Sequence, residues 1–140
     1  MPKPDVAHAV KWNGHWYAFF PDIVNWDDAV RISEEYGGHL LCIESAEENK
    51  FIAELVYKKT GHAEQAIKLG AVCHNGEWKW INGKPVSKYY SNWDKGTAPD
   101  YAPDYPVAIM IQRNKGGEIY FDKWIRHTKV RNFPFVIEWE

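Results

Sequence analysis

The sequence is poor in cysteine. Cys42 and Cys73 are the only thiols in 140 residues, and two thiols cannot build a disulfide framework. A single bridge between them and a pair of buried free thiols both stay open. Either way the domain must be held by its core, and a reducing compartment would be tolerated. No run comes near the ~20 apolar residues of a membrane-crossing helix. The opening "MPKPDVAHAVKWNGHWYAFF" holds no continuous apolar stretch. No signal peptide is therefore expected in it, and the chain as given is expected to be soluble. A place within a larger secreted or anchored protein fits both expectations, and the compartment stays unspecified. Charge of one sign is also missing, since the net charge is -2. The basic runs "YKKT" and "KWIRHTKVR" read as solvated faces, so binding driven by nucleic-acid phosphates is excluded.

Catalytic signatures are absent too. His8, His15, His39, His62, His74 and His127 fall in no H-x-x-x-H spacing. Cys73 and His74 are adjacent on an expected strand, where neighbouring side chains point to opposite faces. They cannot pair as nucleophile and base. There is no nucleophile elbow, phosphate loop or paired-carboxylate signature. The chain reads as a non-enzyme. What it has in quantity is apolar and aromatic surface, at 45% hydrophobic and 16% aromatic. That is ample for the core of one ordinary domain.

The elements follow from local pattern. "HWYAFF", residues 15–20, reads as a strand. "NWDDAVRISEEYGG" reads as a helix, with Asn25 as N-cap and Asp27 and Asp28 at the positive end of its dipole. Trp26, Ala29, Ile32, Ser33 and Tyr36 form its apolar stripe, and Gly37-Gly38 stops it. In "SAEENKFIAELVYKKTG", Ser45 and Glu48 make a capping-box pair, and Phe51, Ile52, Leu55 and Val56 make the buried face. Strands follow in "AIKLGAVC", "EWKWING", "VAIMIQ", "EIYFDKW" and "FPFVIEWE", with turns at Asn75-Gly76 and in "NKGG". The class is α+β. Residues 84–106 show no periodicity and are too long for a routine connection.

These pieces, in this order, resemble the C-type lectin-like domain. The likeness lies in "NWDDAVRISEEYGGHLLCIESAEENKFI", in "LGAVCHNGEWKWINGKPVSKYYSNW" and in the closing "FVIEWE". It covers residues 15–140, with 1–14 as an N-terminal extension. The resemblance implies two helices, a lower antiparallel sheet joining the termini, and an upper sheet carrying a long loop at 84–106 that binds ligand. Departures accompany it. Ser33 and Ile137 stand where the family has one bridged pair, Pro106 stands where a third cysteine would fall, and none follows "YFDKW". Both usual bridges are missing, as in cysteine-poor bacterial members of the family. Ser33 opposite Ile137 is expected to be a packing contact, and His39 is expected to be structural.

The resemblance also raises calcium, which needs six to eight oxygen ligands. Sugar-binding members supply a Glu-Pro-Asn or Gln-Pro-Asp triplet, a later acid and a Trp-Asn-Asp triplet. Here Pro99 matches the proline that the family holds cis, and Asp100 follows it, but Ala98 precedes it. Asp104 matches the later acid. Asp122 is kept, while Phe121 replaces the asparagine. Asp100, Asp104 and Asp122 are the residues that would hold an ion. Two missing donors leave the cage incomplete, so no cofactor is required, and calcium is left open as a weak site. Aspartates beside proline also serve as turn formers.

The loop itself is expected to be a stiff platform, because its prolines fix φ. Tyr89, Tyr90, Asp100, Tyr101, Asp104, Tyr105 and Asp122 are its candidate ligand contacts, with Trp93 in the core. Aromatics with few rotatable bonds stack on sugar faces and dominate protein hot spots. The expected function is a ligand-binding module taking carbohydrate or protein. A calcium-dependent lectin and a purely protein-binding domain are the alternatives.

Overall fold

The computed structural model describes residues 9–60, 66–86, 90–100, 102–115 and 118–140, with backbone alone at 59–60, 112–115 and 118–122. The described chain enters through a hairpin. Asn13 and Gly14 hold positive φ, at 49° and 83°, as a two-residue type I′ turn requires. They join β1 (Val10–Trp12) to β2 (His15–Val24). The sequence reading starts the first strand at His15; the Asn-Gly pair in "KWNGHW" is the signal for the earlier one.

Helix α1 (Trp26–Glu35) begins where expected. Asn25 is extended, and its Oδ1 accepts from the Asp28 amide at 2.8 Å. It ends in a Schellman arrangement: the Gly37 amide bonds the Glu34 carbonyl, and the Gly38 amide bonds that of Ser33. Trp26, Ala29 and Ser33 are buried, while Ile32 and Tyr36 are half-buried. The Ser33 hydroxyl donates to the Ala29 carbonyl at 2.7 Å, so a buried polar group is satisfied where the resemblance places a cysteine.

A short β3 (His39–Leu40) leads to α2 (Ala46–Thr60). Ser45 caps it by accepting from the Glu48 amide at 3.0 Å. The second half of the capping box is not formed. Glu48 instead accepts from the Glu44 amide at 2.7 Å and from the Tyr17 hydroxyl at 2.5 Å. The remaining strands are β4 (Ala66–His74), β5 (Glu77–Trp80), β6 (Val107–Lys115), β7 (Glu118–His127) and β8 (Phe133–Trp139). Asn75 and Gly76 make the β4–β5 turn, with φ of 53° and 79°.

The sheet runs β1-β2-β8-β4-β6-β7, with β3 on β8 and β5 on β4. Pairing is antiparallel except between β4 and β8, which meet in parallel at Lys68 and Phe135. The termini thus share the β2–β8 half, and β4, β6 and β7 form the half that carries the long loop. These two halves are the lower and upper sheets that the resemblance implies, and the parallel contact joins them. Cys42 and Cys73 are free and buried. Two absent bridges forgo about 2–4 kcal/mol each. A fully buried large apolar side chain contributes about 1.5–3 kcal/mol, so Trp124, Trp139, Phe135 and their neighbours, all nearly inaccessible, offset that loss.

Candidate functional site

The long loop is pinned at several points. Trp93 pairs in parallel with Trp124 of β7 as an isolated bridge. The Asp94 amide donates to the Trp124 carbonyl at 2.9 Å, and the Trp124 amide donates to the Asn92 carbonyl at 3.0 Å. Gly96 turns the chain with a φ of 82°. Further on, the Trp78 indole donates to the Pro99 carbonyl at 3.0 Å, and Arg126 Nη1 donates to the Asp100 carbonyl at 2.9 Å. The Cys73 amide holds the Pro106 carbonyl at 2.7 Å where the loop returns to β6.

Between this loop and the end of β7 lies a cleft of about 440 Å³. Trp93 and Trp124 form its apolar floor, Pro99 stands on one side, and Lys95, Asp100 and Arg126 carry its charge. Both indoles are core residues, nearly inaccessible and set edge to face at 5.8 Å. Their buried bulk gives the cleft a floor that cannot shift. Cavities of about 300–1,000 Å³ suit small ligands.

The candidate contacts fall in different places. Tyr105 is exposed, and the Arg126 guanidinium lies over its ring at 5.7 Å. Asp100 and Asp104 are exposed. Tyr90 is half-buried, edge-on to Trp124 at 5.7 Å, so part of its ring belongs to the core. Tyr89 and Tyr101 lie outside the described residues, as does the side chain of Asp122. Arg126 is not among the residues singled out from sequence. It reads there as part of a solvated basic run, and only the register of β7 brings it to Asp100 and Tyr105.

Of the three residues that would hold calcium, Asp100 and Asp104 are described and the side chain of Asp122 is not. Among the described residues the group of three potential side-chain ligands is His15, Glu138 and Glu140, on other elements. Ala98 offers no side-chain oxygen before Pro99, and Phe121 offers none on β7. No peptide bond among the described residues is cis, so Pro99 departs from the isomer the resemblance implies.

One thiol–imidazole approach does occur. Cys42 Sγ lies 3.8 Å from His39 Nδ1, but that nitrogen faces the Leu40 carbonyl at 2.9 Å. Burial, with the Glu138 carboxyl second, pushes the Cys42 thiol well above its usual range. It stays protonated and is no activated nucleophile. Cys73 is buried and His74 exposed, as expected for neighbours on a strand.

Comparison with known proteins follows the same lines. The family described as "Lectin C-type domain" matches residues 22–125. Lectoxin-Lio1 of Erythrolamprus poecilogyrus is 35% identical over 101 residues, covering 70% of this chain and 61% of that protein. A perlucin-like protein of Mytilus galloprovincialis is 31% identical over 87 residues, covering 61% of this chain and 55% of its own length. The chain thus spans less than two thirds of either. A snaclec chain of the coagulation factor IX-binding protein of Protobothrops flavoviridis is 30% identical over 133 residues, 91% of this chain and 93% of that one. These relatives are animal proteins and lend no support to a bacterial affinity. Human lithostathine superposes with a TM-score of 0.79 at 23% identity, over 99% of this chain and 90% of its own. SPL-1, solved as a complex with GlcNAc, superposes with 0.74 at 19% identity, over 93% and 90%. Fold, loop and sequence agree: the chain belongs to the C-type lectin domain family.

Proposed function

We propose that this chain is a non-catalytic module that binds a saccharide in the cleft between residues 93–100 and 124–126, without calcium in the long loop. One observation carries the reading: a preformed, amphipathic cleft whose wall is fixed by the Trp78–Pro99 and Arg126–Asp100 hydrogen bonds. A sugar ring offers an apolar C–H face and a polar hydroxyl edge. Ala98, Pro99 and Ile125 match the first, and Asp100, Lys95 and Arg126 match the second. Tyr105, stacked with Arg126 at the lip, supplies an exposed aromatic contact. Sugar-binding relatives that ligate hydroxyls through calcium need the oxygens that Ala98 and Phe121 do not provide.

A protein ligand is the second reading, and the exposed Tyr105 with half-buried Arg126 beside it favours it, because Tyr and Arg are enriched in hot spots. A glycan array followed by calorimetric titration of the best saccharide separates the two. Saturable binding that survives chelation, and falls roughly tenfold or more in the Tyr105→Ala/Arg126→Ala double variant, supports the saccharide reading. Silence across the array, with a protein partner lost in the same variant, replaces it with the protein reading.

A further inference from the structure

A second polar centre sits on the opposite half of the sheet, away from the long loop. In β2 and β8, Tyr17 pairs with Glu138 and Trp16 with Trp139. His15 and Tyr17 therefore share one face with Glu138 and Glu140. From β3, His39 pairs with Glu138 on its other side. His15, Glu138 and Glu140 each present a ligand atom within 4.8 Å of the others. Glu138 Oε2 is 2.7 Å from His15 Nδ1, while Oε1 accepts from the Cys42 amide at 3.1 Å.

His39 adds an independent sign. Its Nδ1 lies 2.9 Å from the Leu40 carbonyl, which can only accept, so the proton sits on Nδ1. Nε2 then carries a lone pair. It is buried without a hydrogen-bond partner and faces Glu140 Oε1 at 3.7 Å. In that tautomer two acceptors face each other, and an unpaired buried acceptor is costly. A cation beside Glu140 resolves this.

We propose that His15, Glu138 and Glu140 form a binding site for a divalent transition-metal ion, zinc by the chemistry of its donors, with His39 adjoining through the Glu140 carboxylate. Imidazole with carboxylate suits zinc and its neighbours, whereas calcium selects all-oxygen shells. His15 lines a recess of about 350 Å³ that also contains Tyr17, Glu44, Glu48 and Lys84. The recess opens on the His15 side of the cluster. Lys84 pairs with Glu44 at 3.3 Å at the rim of the recess.

The test is zinc chloride titrated into the metal-stripped full chain in a non-chelating buffer, by calorimetry and thermal unfolding. One saturable zinc per chain and a raised Tm are expected. His15→Gln and Glu140→Gln, both at partly exposed positions, should each weaken zinc by roughly tenfold or more. Circular dichroism checks that the variants keep their fold. Absence of saturable binding overturns the proposal. Zinc affinity unchanged in both variants overturns it by placing the ion elsewhere. Calcium binding as tight as zinc, and indifferent to His15→Gln, overturns it by showing an oxygen-only site. Saccharide binding is not read in any arm, so this proposal and the cleft assignment fail separately.

Discussion

Trp93 and Trp124 are joined by backbone and by ring: their strands meet in a parallel bridge, and their indoles stand edge to face at 5.8 Å. Trp124 also donates its indole N–H to Asn49 Oδ1 of α2 at 2.9 Å. One side chain thus ties helix, sheet and loop together. Trp124→Ala should cost about 3–5 kcal/mol, read from denaturant unfolding, because it opens a large cavity. Trp124→Phe should cost less, since it keeps most of the ring and removes the donor to Asn49. Equal losses in the two variants would show that the indole hydrogen bond, and not packing, sets the contribution.

Arg126 acts at the surface, where its bond to the Asp100 carbonyl holds the outer wall of the cleft. Arg126→Ala should lower ligand affinity roughly tenfold while lowering unfolding free energy by no more than about 1 kcal/mol, the net worth of one hydrogen bond. Arg126→Lys should not restore affinity fully, because an ammonium cannot reproduce the guanidinium that lies over Tyr105 and bonds the Asp100 carbonyl. A variant that loses stability and affinity in proportion would place Arg126 in the fold and not in the site.

Calcium should leave the long loop indifferent. Ligand affinity of the metal-stripped chain, measured before and after adding calcium, is expected to be unchanged, since Ala98 and Phe121 contribute no oxygen to a cage that needs six to eight. A calcium-dependent gain in affinity that Asp100→Asn abolishes would reverse this.

Much of the scaffold is legible from local pattern. Asn25, Gly37-Gly38 and Ser45 set helix boundaries through bonds that span three or four residues, and such signals need no tertiary knowledge. The face carrying Trp78 and Trp80 follows from alternation in the same way. The site is less legible because its contacts are long-range. His15 meets Glu138 across 123 residues of chain, and no spacing motif reports that. Arg126 reaches Asp100 only because β7 crosses under the loop. Glu48 fits the capping box, yet a buried tyrosine competes for its carboxylate and wins. The parallel meeting of β4 and β8 likewise depends on how two halves pack.

Gly70 shows a motif residue whose reason is tertiary. It sits in the irregular stretch of β4 between Lys68 and Val72. A Cβ there would lie 2.7 Å from the Leu40 carbonyl and 2.8 Å from that of Leu41. Both are backbone atoms, and the Gly70 amide itself bonds the Leu41 carbonyl at 2.7 Å. Gly70→Ala should therefore cost about 1–3 kcal/mol in chemical denaturation by forcing two chain segments apart. Gly14→Ala, at an open turn with no neighbour within 4 Å, should act only through its positive φ and cost about 1 kcal/mol. If both cost the same, steric approach is not what fixes Gly70.

Lys68 is fully buried at the junction of β4 and β8, donating to the Arg131 carbonyl at 2.7 Å and lying over the Phe133 ring at 5.4 Å. Burial lowers its pKa from 10.5 to about 8. Between those two values the unfolded chain holds more protons than the folded one, so unfolding free energy must rise with pH across that window. Below pH 8 the full burial penalty is present; above 10.5 it is gone. The shift corresponds to at most about 3.5 kcal/mol, at about 1.4 per pH unit. Nearby His127 is itself held below its usual range by burial, so it has finished titrating before the window opens. Other groups that titrate there are common to a Lys68→Met variant, and subtracting its profile removes them. The wild-type chain should gain stability relative to Lys68→Met as pH climbs from 8 to 10.5. A flat difference would mean that the ammonium reaches water in the folded state, and that the Arg131 carbonyl is not its principal partner.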